Sequence, residues 1–262
     1  MSKEKAYFLD MFSGIGGFAL AAYNTGLRFD GHYFSEIDEY AVSIYKKRFP
    51  DAIPLGDIRG IDYEKLPKGE WLVAGGFPCQ PHSLRSNKKR RGGRDERNLW
   101  PACVEVVGKI RPGIALFENV LGLFSSDGGK FFNKVLSDIS KSGYDAEWQV
   151  ISAQEVGAIH KRERVWIVAY PASGDAHTSA VQCKIDRKIK NEQQEIWKIF
   201  YSLSYRDNKI ANWEKFESRF CRDDDGIPGE MDRYKCLGNA IVPQCAEKIM
   251  MLPAFDRWRE AV

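Results

Sequence analysis

The sequence predicts an α/β protein: a doubly wound, mostly parallel sheet with a small second lobe. Short apolar runs alternate with segments of helical spacing from residue 7 to residue 170, the pattern of strand–helix–strand units that build a parallel sheet. These runs are continuously apolar, as strands buried on both faces are. The alternation stops at 171–237, a polar stretch that begins Pro171-Ala172-Ser173-Gly174-Asp175 and ends beyond Asp223-Asp224-Asp225-Gly226. A chain of 262 residues has room for one large domain and a lobe, and little for two full domains.

The elements follow in order. Tyr7–Phe12 is a buried strand with one acid in it, followed by a glycine turn and a helix over Phe18–Tyr23. His32–Ser35 is a second strand that ends at Glu36. Asp38–Phe49 has helical spacing, with Asp38 as N-cap and Pro50 as the stop. Trp71–Ala74 is a strand running into a loop with Cys79. Leu99–Ile110 is helical, Ile114–Phe117 a strand, and 129–142 a helix closed by Gly143. Trp148–Ile151 and Val165–Tyr170 are late strands, and Ala246–Phe255 is a helix that packs back on the sheet. The division predicted is an α/β domain over 1–170, completed by 238–262, with a separate lobe over 171–237.

The net charge of +3 is too small to identify a polyanionic partner, so the distribution of charge has to decide. The six cysteines are Cys79, Cys103, Cys183, Cys221, Cys236 and Cys245. None forms a CxxC pair and no histidine stands at zinc-finger spacing, so no metal site is expected. No run of about eighteen apolar residues suggests a membrane span. The N-terminus has no signal-peptide pattern. Free thiols in a reducing cytoplasm fit this usage.

Five stretches carry chemistry. Phe12-Ser13-Gly14-Ile15-Gly16-Gly17-Phe18 joins the first strand to the first helix, at the sheet edge where open α/β folds bind ligands. Read alone it is a tight turn. Glu36 ends the second strand, where an acid accepts ribose hydroxyls in such folds. Asp57, in Gly56-Asp57-Ile58, is placed to take an amino group of an adenine, or is simply a turn residue.

The third stretch is Gly75-Gly76-Phe77-Pro78-Cys79-Gln80-Pro81-His82-Ser83. A lone cysteine is most often a small buried hydrophobe, but Pro78 and Pro81 argue for a rigid loop at a strand end. Residues 80–99 hold seven Lys/Arg (Arg85, Lys88, Lys89, Arg90, Arg91, Arg94, Arg97) against Asp95 and Glu96, a net charge of +5. Such a run is commonly a solvated face. Hinged at Gly92-Gly93 beside a cysteine, it also reads as a lid that meets phosphates and favours a thiolate. In Phe117-Glu118-Asn119-Val120, Glu118 ends an apolar strand, a setting that raises a carboxyl's affinity for its proton unless the residue only caps a helix. In His160-Lys161-Arg162-Glu163-Arg164, strand alternation puts Arg162 and Arg164 on one face, able to orient a buried glutamate.

Taken together, FSGIGGF, the acid after strand two, GDI, GGFPCQPHS, ENV, HKRER and Gly238-Asn239-Ala240-Ile241-Val242-Pro243 resemble the DNA cytosine-5 methyltransferase family. PCQ followed by ENV within such a sheet is the specific part. The resemblance implies a Rossmann-like S-adenosylmethionine-dependent methyltransferase of the compact bacterial or phage type, a cytoplasmic monomer acting on double-stranded DNA. It implies Cys79 as the nucleophile on C6 of a flipped cytosine, Glu118 at N3, Arg164 holding the base and Glu118, and Arg162 in support. It implies Phe12, Gly14, Gly16, Gly17, Glu36, Asp57, Ile58, Pro78 and Asn239 in the cofactor pocket. Ser83 matches a phosphate-contacting position, and Arg85, Lys88, Lys89, Arg90, Arg91, Arg94 and Arg97 extend the nucleic-acid side. It makes residues 1–170 with 238–262 the catalytic and cofactor-binding domain and residues 171–237 the target-recognition lobe. A role in restriction–modification accompanies the family.

The chain departs from the family pattern twice. His160 stands where glutamine is usual, and Met231-Asp232-Arg233-Tyr234-Lys235 is at most a shortened form of the arginine-rich motif ahead of GNAIVP. Residues 171–237 hold twelve Lys/Arg and twelve Asp/Glu, a neutral balance that suits base reading more than phosphate attraction. Two other readings compete. One is an RNA cytosine methyltransferase, whose branch typically carries a Cys-Phe-Thr signature absent here; the other is a catalytically silent DNA-binding relative, which intact Cys79, Glu118 and Arg164 disfavour.

Overall fold

A computed structural model describes residues 4–78, 98–158, 160–172 and 240–259. Cys79, Ser83, Arg85, Lys88, Lys89, Arg90, Arg91, Arg94, Arg97 and Asn239, and the lobe from residue 173 on, lie outside the described residues.

Seven strands form one sheet in the order β3-β2-β1-β4-β5-β7-β6. They are β1 (Ala6–Met11), β2 (Gly31–Ser35), β3 (Ile53–Pro54), β4 (Glu70–Gly76), β5 (Ile114–Val120), β6 (Tyr144–Ser152) and β7 (Glu163–Pro171). β1 pairs parallel with β2 and β4, and β4 with β5. β7 runs antiparallel to both β5 and β6. The order turns outward in both directions from the β1–β4 pair, so the carboxyl ends of β1 and β4 flank the topological switch point where open α/β sheets bind ligands.

Six α-helices lie among the described residues: α1 (Gly17–Asn24), α2 (Glu39–Arg48), α3 (Trp100–Ile110), α4 (Gly122–Ser125), α5 (Lys130–Lys141) and α6 (Pro243–Met250). Asp38 caps α2 as expected, its carboxylate accepting from the Tyr40 and Ala41 amides at 3.1 and 3.2 Å. The apolar positions of α5, Phe131, Phe132, Val135 and Ile139, are all buried, and Gly143 follows with φ +80°. Two hydrophobic layers sandwich the sheet. One includes Leu9, Val73, Phe117, Trp100 and α5; the other includes Phe8, Phe34, Leu72, Leu116, α1 and α6.

Three expectations change. The final helix is not continuous over Ala246–Phe255: α6 ends at Met250 and a 3₁₀ turn covers Pro253–Trp258, because Pro253 brings no amide to extend the helix. β6 is nine residues long, and its central part is exposed at the sheet edge, so only its apolar end, Trp148–Ile151, read as a strand. β3 has no counterpart among the expected strands: its two residues, Ile53 and Pro54, are exposed and too few to form an apolar run.

The C-terminal segment packs onto the body. Lys248 pairs with Glu155 at 3.0 Å, Asn24 donates to Glu247 at 2.8 Å, and the Arg28 amide donates to the Trp258 carbonyl at 2.8 Å. Val242, Cys245, Ala246, Phe255 and Trp258 are buried in the layer shared with α1.

Candidate active site

At the carboxyl edge of the sheet a cavity of about 580 Å³ opens, a size suited to one small ligand. Its wall includes Phe12, Gly14, Gly17, Glu36, Pro78, Glu118, Arg162 and Arg164 from the predicted set. One continuous space thus joins the glycine loop after β1 to the charged ends of β5 and β7.

The loop after β1 is shaped by close approaches. Gly16 has φ +89°, and a Cβ there would come within 2.7 Å of the Phe49 ring and 3.2 Å of Tyr45. Gly17 lets the C-terminal segment in: a Cβ would meet Ile241 at 2.6 Å. Gly16 is therefore a packing position against α2 and is not among the lining residues. Phe12 has φ +51°, a backbone that a non-glycine residue rarely adopts and that costs of order 1–3 kcal/mol.

Glu36 is fixed by three amides. The Gly14 N–H donates to Oε2 at 2.8 Å, and the Ile37 and Asp38 N–H groups donate to Oε1 at 2.8 and 2.9 Å. An ionised carboxylate has about four acceptor positions, so Glu36 keeps acceptor capacity for ligand hydroxyls. Ile37 beside it lines the cavity and stays 70% exposed. These features fit the ribose and adenine end of a nucleoside-type cofactor.

Asp57 and Ile58 do not reach the lining. Asp57 caps a 3₁₀ turn through the Arg59 amide, and the Arg59 Nε donates to it at 3.0 Å. The hydrogen bonds from Arg59 hold its carboxyl below the usual range, at about 2. Ile58 is buried in the core. The carboxylate expected to take an amino group is thus already taken by a neighbouring guanidinium, a pairing that spacing alone does not announce.

On the opposite wall Glu118 is buried at the end of β5, and Arg164 Nε lies 3.0 Å from its Oε1. Burial raises the Glu118 carboxyl above its ordinary range; Arg164, then Arg162, draw it part of the way back. The register pairs Val120 with Arg164 across β5 and β7, so the glutamate and its arginine come from adjacent strand ends. Arg162 also donates from Nη2 to the Ala240 carbonyl at 2.8 Å, tying the C-terminal segment to this wall. Asn119, which sequence reasoning gave no role of its own, is 1% exposed and donates from Nδ2 to the Phe77 carbonyl at 3.1 Å. It thereby fixes the strand end that leads through Pro78 to Cys79. Leu99, Val120 and Ile241 add to the apolar wall; Val120 stands in ENV and Ile241 in GNAIVP, but only the fold brings them together with Leu99.

Among the described residues no group of three or more His, Cys, Asp or Glu is placed to hold a metal, and no helix is long and apolar enough to cross a membrane. Cys103 is a core thiol pushed up by burial, and Cys245, buried against the Ser152 carbonyl, is pushed up to about 12.

A parallel sheet with one reversed strand, and a glycine loop and a strand-end acid meeting at one cavity, define the methyltransferase class of α/β folds. A solved structure from E. coli, described as a DNA modification methyltransferase encoded within a prophage, shares this fold with TM-score 0.52 and 26% identity over 63% of this chain and 47% of that one. The sequence model of the C-5 cytosine-specific DNA methylases matches residues 6–224, and the chain belongs to that family. Relatives include the type II methyltransferase M.BsuFI of Bacillus subtilis, 32% identical over 88% of this chain and 54% of its own. M.HpaII of Haemophilus parainfluenzae is 30% identical over 92% of this chain and 67% of its own. The chain spans about half the length of several such relatives.

Proposed function

We propose that this protein methylates C5 of cytosine in double-stranded DNA, with S-adenosylmethionine as methyl donor. The observation that carries the proposal is the buried Glu118–Arg164 pair facing the same cavity as Gly14 and Glu36, one strand away from the Pro78–Cys79 loop.

Cytosine C5 is a poor nucleophile, so the ring must first be activated. The Cys79 thiolate attacks C6 and forms the S–C6 bond. Glu118, whose burial favours its protonated form, donates to N3 and takes up the charge pushed into the ring. Arg164 keeps Glu118 in place and holds the base, and Arg162 braces the wall behind it. C5 then carries enamine electron density and is methylated; S-adenosylmethionine supplies the activated methyl group. A base removes the C5 proton, the S–C6 bond breaks, and the aromatic ring and free thiolate return. A cytosine in a stacked duplex does not expose C6, so the target base must be flipped into the cavity.

On the cofactor side, Glu36 accepts the ribose hydroxyls, Phe12, Ile37 and Pro78 supply apolar contact, and Asn239 matches a cofactor-pocket position of the family. A role for Asp57 at the adenine requires its carboxylate to accept a ligand amino group in competition with Arg59. The basic residues from Arg85 to Arg97, with Ser83, meet phosphates, and residues 171–237 read the target sequence. The assignment of a monomer, and of the cytoplasm as its compartment, belongs to this proposal too.

Bisulfite sequencing of DNA from cells expressing the protein tests the reading: protected cytosines within one recurring sequence are expected. Full conversion at every site, with the protein present and folded, contradicts it.

A further inference from the structure

Beneath the cofactor side of the cavity lies a chain of four polar side chains that the proposed reaction does not use. Asp10 of β1 is 0% exposed, Tyr45 of α2 is 0% and His32 of β2 is 7%. Tyr45 Oη lies 3.0 Å from Asp10 Oδ2, His32 Nε2 lies 2.7 Å from Tyr45 Oη, and Tyr23 Oη of α1 lies 3.2 Å from His32 Nδ1. Tyr23 is only half-buried and ends the chain towards solvent.

Each phenol has one proton and a neutral imidazole has one N–H, so the chain has two self-consistent arrangements. With Asp10 ionised, Tyr23 donates to Nδ1, Nε2–H donates to Tyr45, and Tyr45 donates to Asp10. With Asp10 protonated, every bond points the other way: Asp10 donates to Tyr45, Tyr45 to Nε2, and Nδ1–H to Tyr23. Protonation of Asp10 moves one proton along each bond towards it and takes one up from water at Tyr23, and the reverse conversion releases that proton from Tyr23 to water; no intermediate group becomes charged. Burial lowers the imidazole of His32 to about 4, so it stays neutral and able to relay in this way.

The groups acting on Asp10 pull in opposite directions. Burial raises its carboxyl well above the ordinary range, the Tyr45 hydroxyl and the Ala19 amide of α1 lower it, and Glu36 raises it. At the other end Arg28 and Asp51 act on Tyr23. Glu36 is the acid on the cavity wall, so Asp10 and the cavity feel each other's charge.

The chain also fixes the cavity's shape. The Tyr45 ring stacks on Phe34 at 4.2 Å and stands where a Gly16 Cβ would be only 3.2 Å away. One turn earlier on the same face of α2 is Ala41, and the cap of that helix is Asp38; both line the cavity. The Tyr45 ring thus packs against the glycine loop and stands on the helix whose first turn lines the cavity.

We propose that Asp10, Tyr45 and His32 are positioning residues for the cofactor wall, joined in a hydrogen-bond wire that reverses direction when Asp10 gains or loses its proton. The wire stands on geometry alone; the identity of the ligand it positions rests on the methyltransferase reading.

The test is nitrogen-15 NMR of the full chain labelled at its four histidines, titrated with acid. Expected is a neutral His32 that carries its proton on Nε2 at high pH and on Nδ1 at lower pH, before the ring itself protonates. Tyr45→Phe keeps the ring packing and loses the switch. Calorimetry over the same pH range reads the consequence. Wild-type affinity for S-adenosylmethionine is expected to be higher on the high-pH side by about fivefold or more, because the ionised wire favours a cationic ligand; in Tyr45→Phe the dependence flattens. One tautomer throughout the wild-type titration overturns the wire, and needs no variant to fold. Equal affinities for wild type and Tyr45→Phe at every pH overturn the positioning role. No binding by the wild type overturns the cofactor reading and the positioning claim with it, while the tautomer titration still decides the wire.

Discussion

On the β1–β2 side of the cavity the ligand-facing groups are set by backbone, whereas on the β5–β7 side they are set by charge. Glu36 is held by three amides from its own and the neighbouring loop, and Gly16 and Gly17 fix that loop by letting rings and chain come close. Among the described residues Glu118 is held differently: it is buried, and its orientation comes from Arg164 across the strand pair, with Arg162 beside them. The first construction is rigid, which suits the proposed holding of a ligand. The second shifts a carboxyl towards its protonated form, the direction that a step pushing charge into a ring would use.

The largest expected effect is at Cys79, the proposed nucleophile. Cys79→Ala should abolish methyl transfer from labelled cofactor and leave DNA and cofactor binding intact, since the thiol acts only after the base is flipped. A variant with near wild-type transfer would move the chemistry elsewhere.

The charged wall comes next. Glu118→Gln should slow single-turnover methyl transfer by roughly 10²–10⁴-fold, with cofactor affinity unchanged when measured by calorimetry. Its pH dependence sharpens the point. Burial raises Glu118, so the proton needed at N3 stays bound to higher pH than on an ordinary glutamate, and activity falls as pH rises through that value. Arg164 draws the carboxyl down, so Arg164→Met should shift the falling limb to higher pH while lowering the maximum rate. A limb that stays in place would assign it to another group.

How legible these walls were differs for the same reason. The β1–β2 wall is built largely from neighbours in sequence: Phe12 to Phe18 is one turn, and two of the three amides on Glu36 come from residues one and two places on, so much of the pattern could be read directly. The spacing of Arg162 and Arg164 likewise put both on one face, and both line the cavity. What could not be read are links between distant strand ends. The Asn119 amide on the Phe77 carbonyl, the Arg162 guanidinium on the Ala240 carbonyl and the Tyr45–Asp10 bond each span more than thirty residues. Asp10 gave the only hint, as a lone acid in an apolar strand. The Arg59 guanidinium on Asp57 was equally hidden, because nothing in Gly-Asp-Ile shows that Arg59 folds back onto it. β3 and most of β6 were missed because exposed edge strands lack the apolar run that marks a buried one.

Smaller effects belong to the backbone-built wall. Glu36→Ala should weaken S-adenosylmethionine binding by about 1.5–3 kcal/mol, the scale of hydrogen bonds to a charged group. Because Glu36 also holds three loop amides, thermal unfolding of the variant has to be measured alongside. Unchanged affinity in calorimetry would make Glu36 a loop clamp only.

The smallest expected change concerns the basic stretch. Replacing Lys88, Lys89, Arg90 and Arg91 with alanine should flatten the slope of log affinity against log salt by up to about 0.9 per lost phosphate contact, with the target sequence unchanged. An unaltered slope would make the stretch a solvated face. An altered target would place base reading there instead of in residues 171–237.

The central claim, that the two walls serve one covalent reaction on cytosine, is tested most directly by a duplex carrying 5-fluorocytosine at the target position. Fluorine cannot leave C5 as a proton does, so the enzyme should be trapped on DNA only when S-adenosylmethionine is present. The account predicts an adduct that survives denaturation, with its mass increased by the transferred methyl group, and none with Cys79→Ala. Methylation of ordinary cytosine without any trapped adduct, or an adduct that persists in Cys79→Ala, would contradict it.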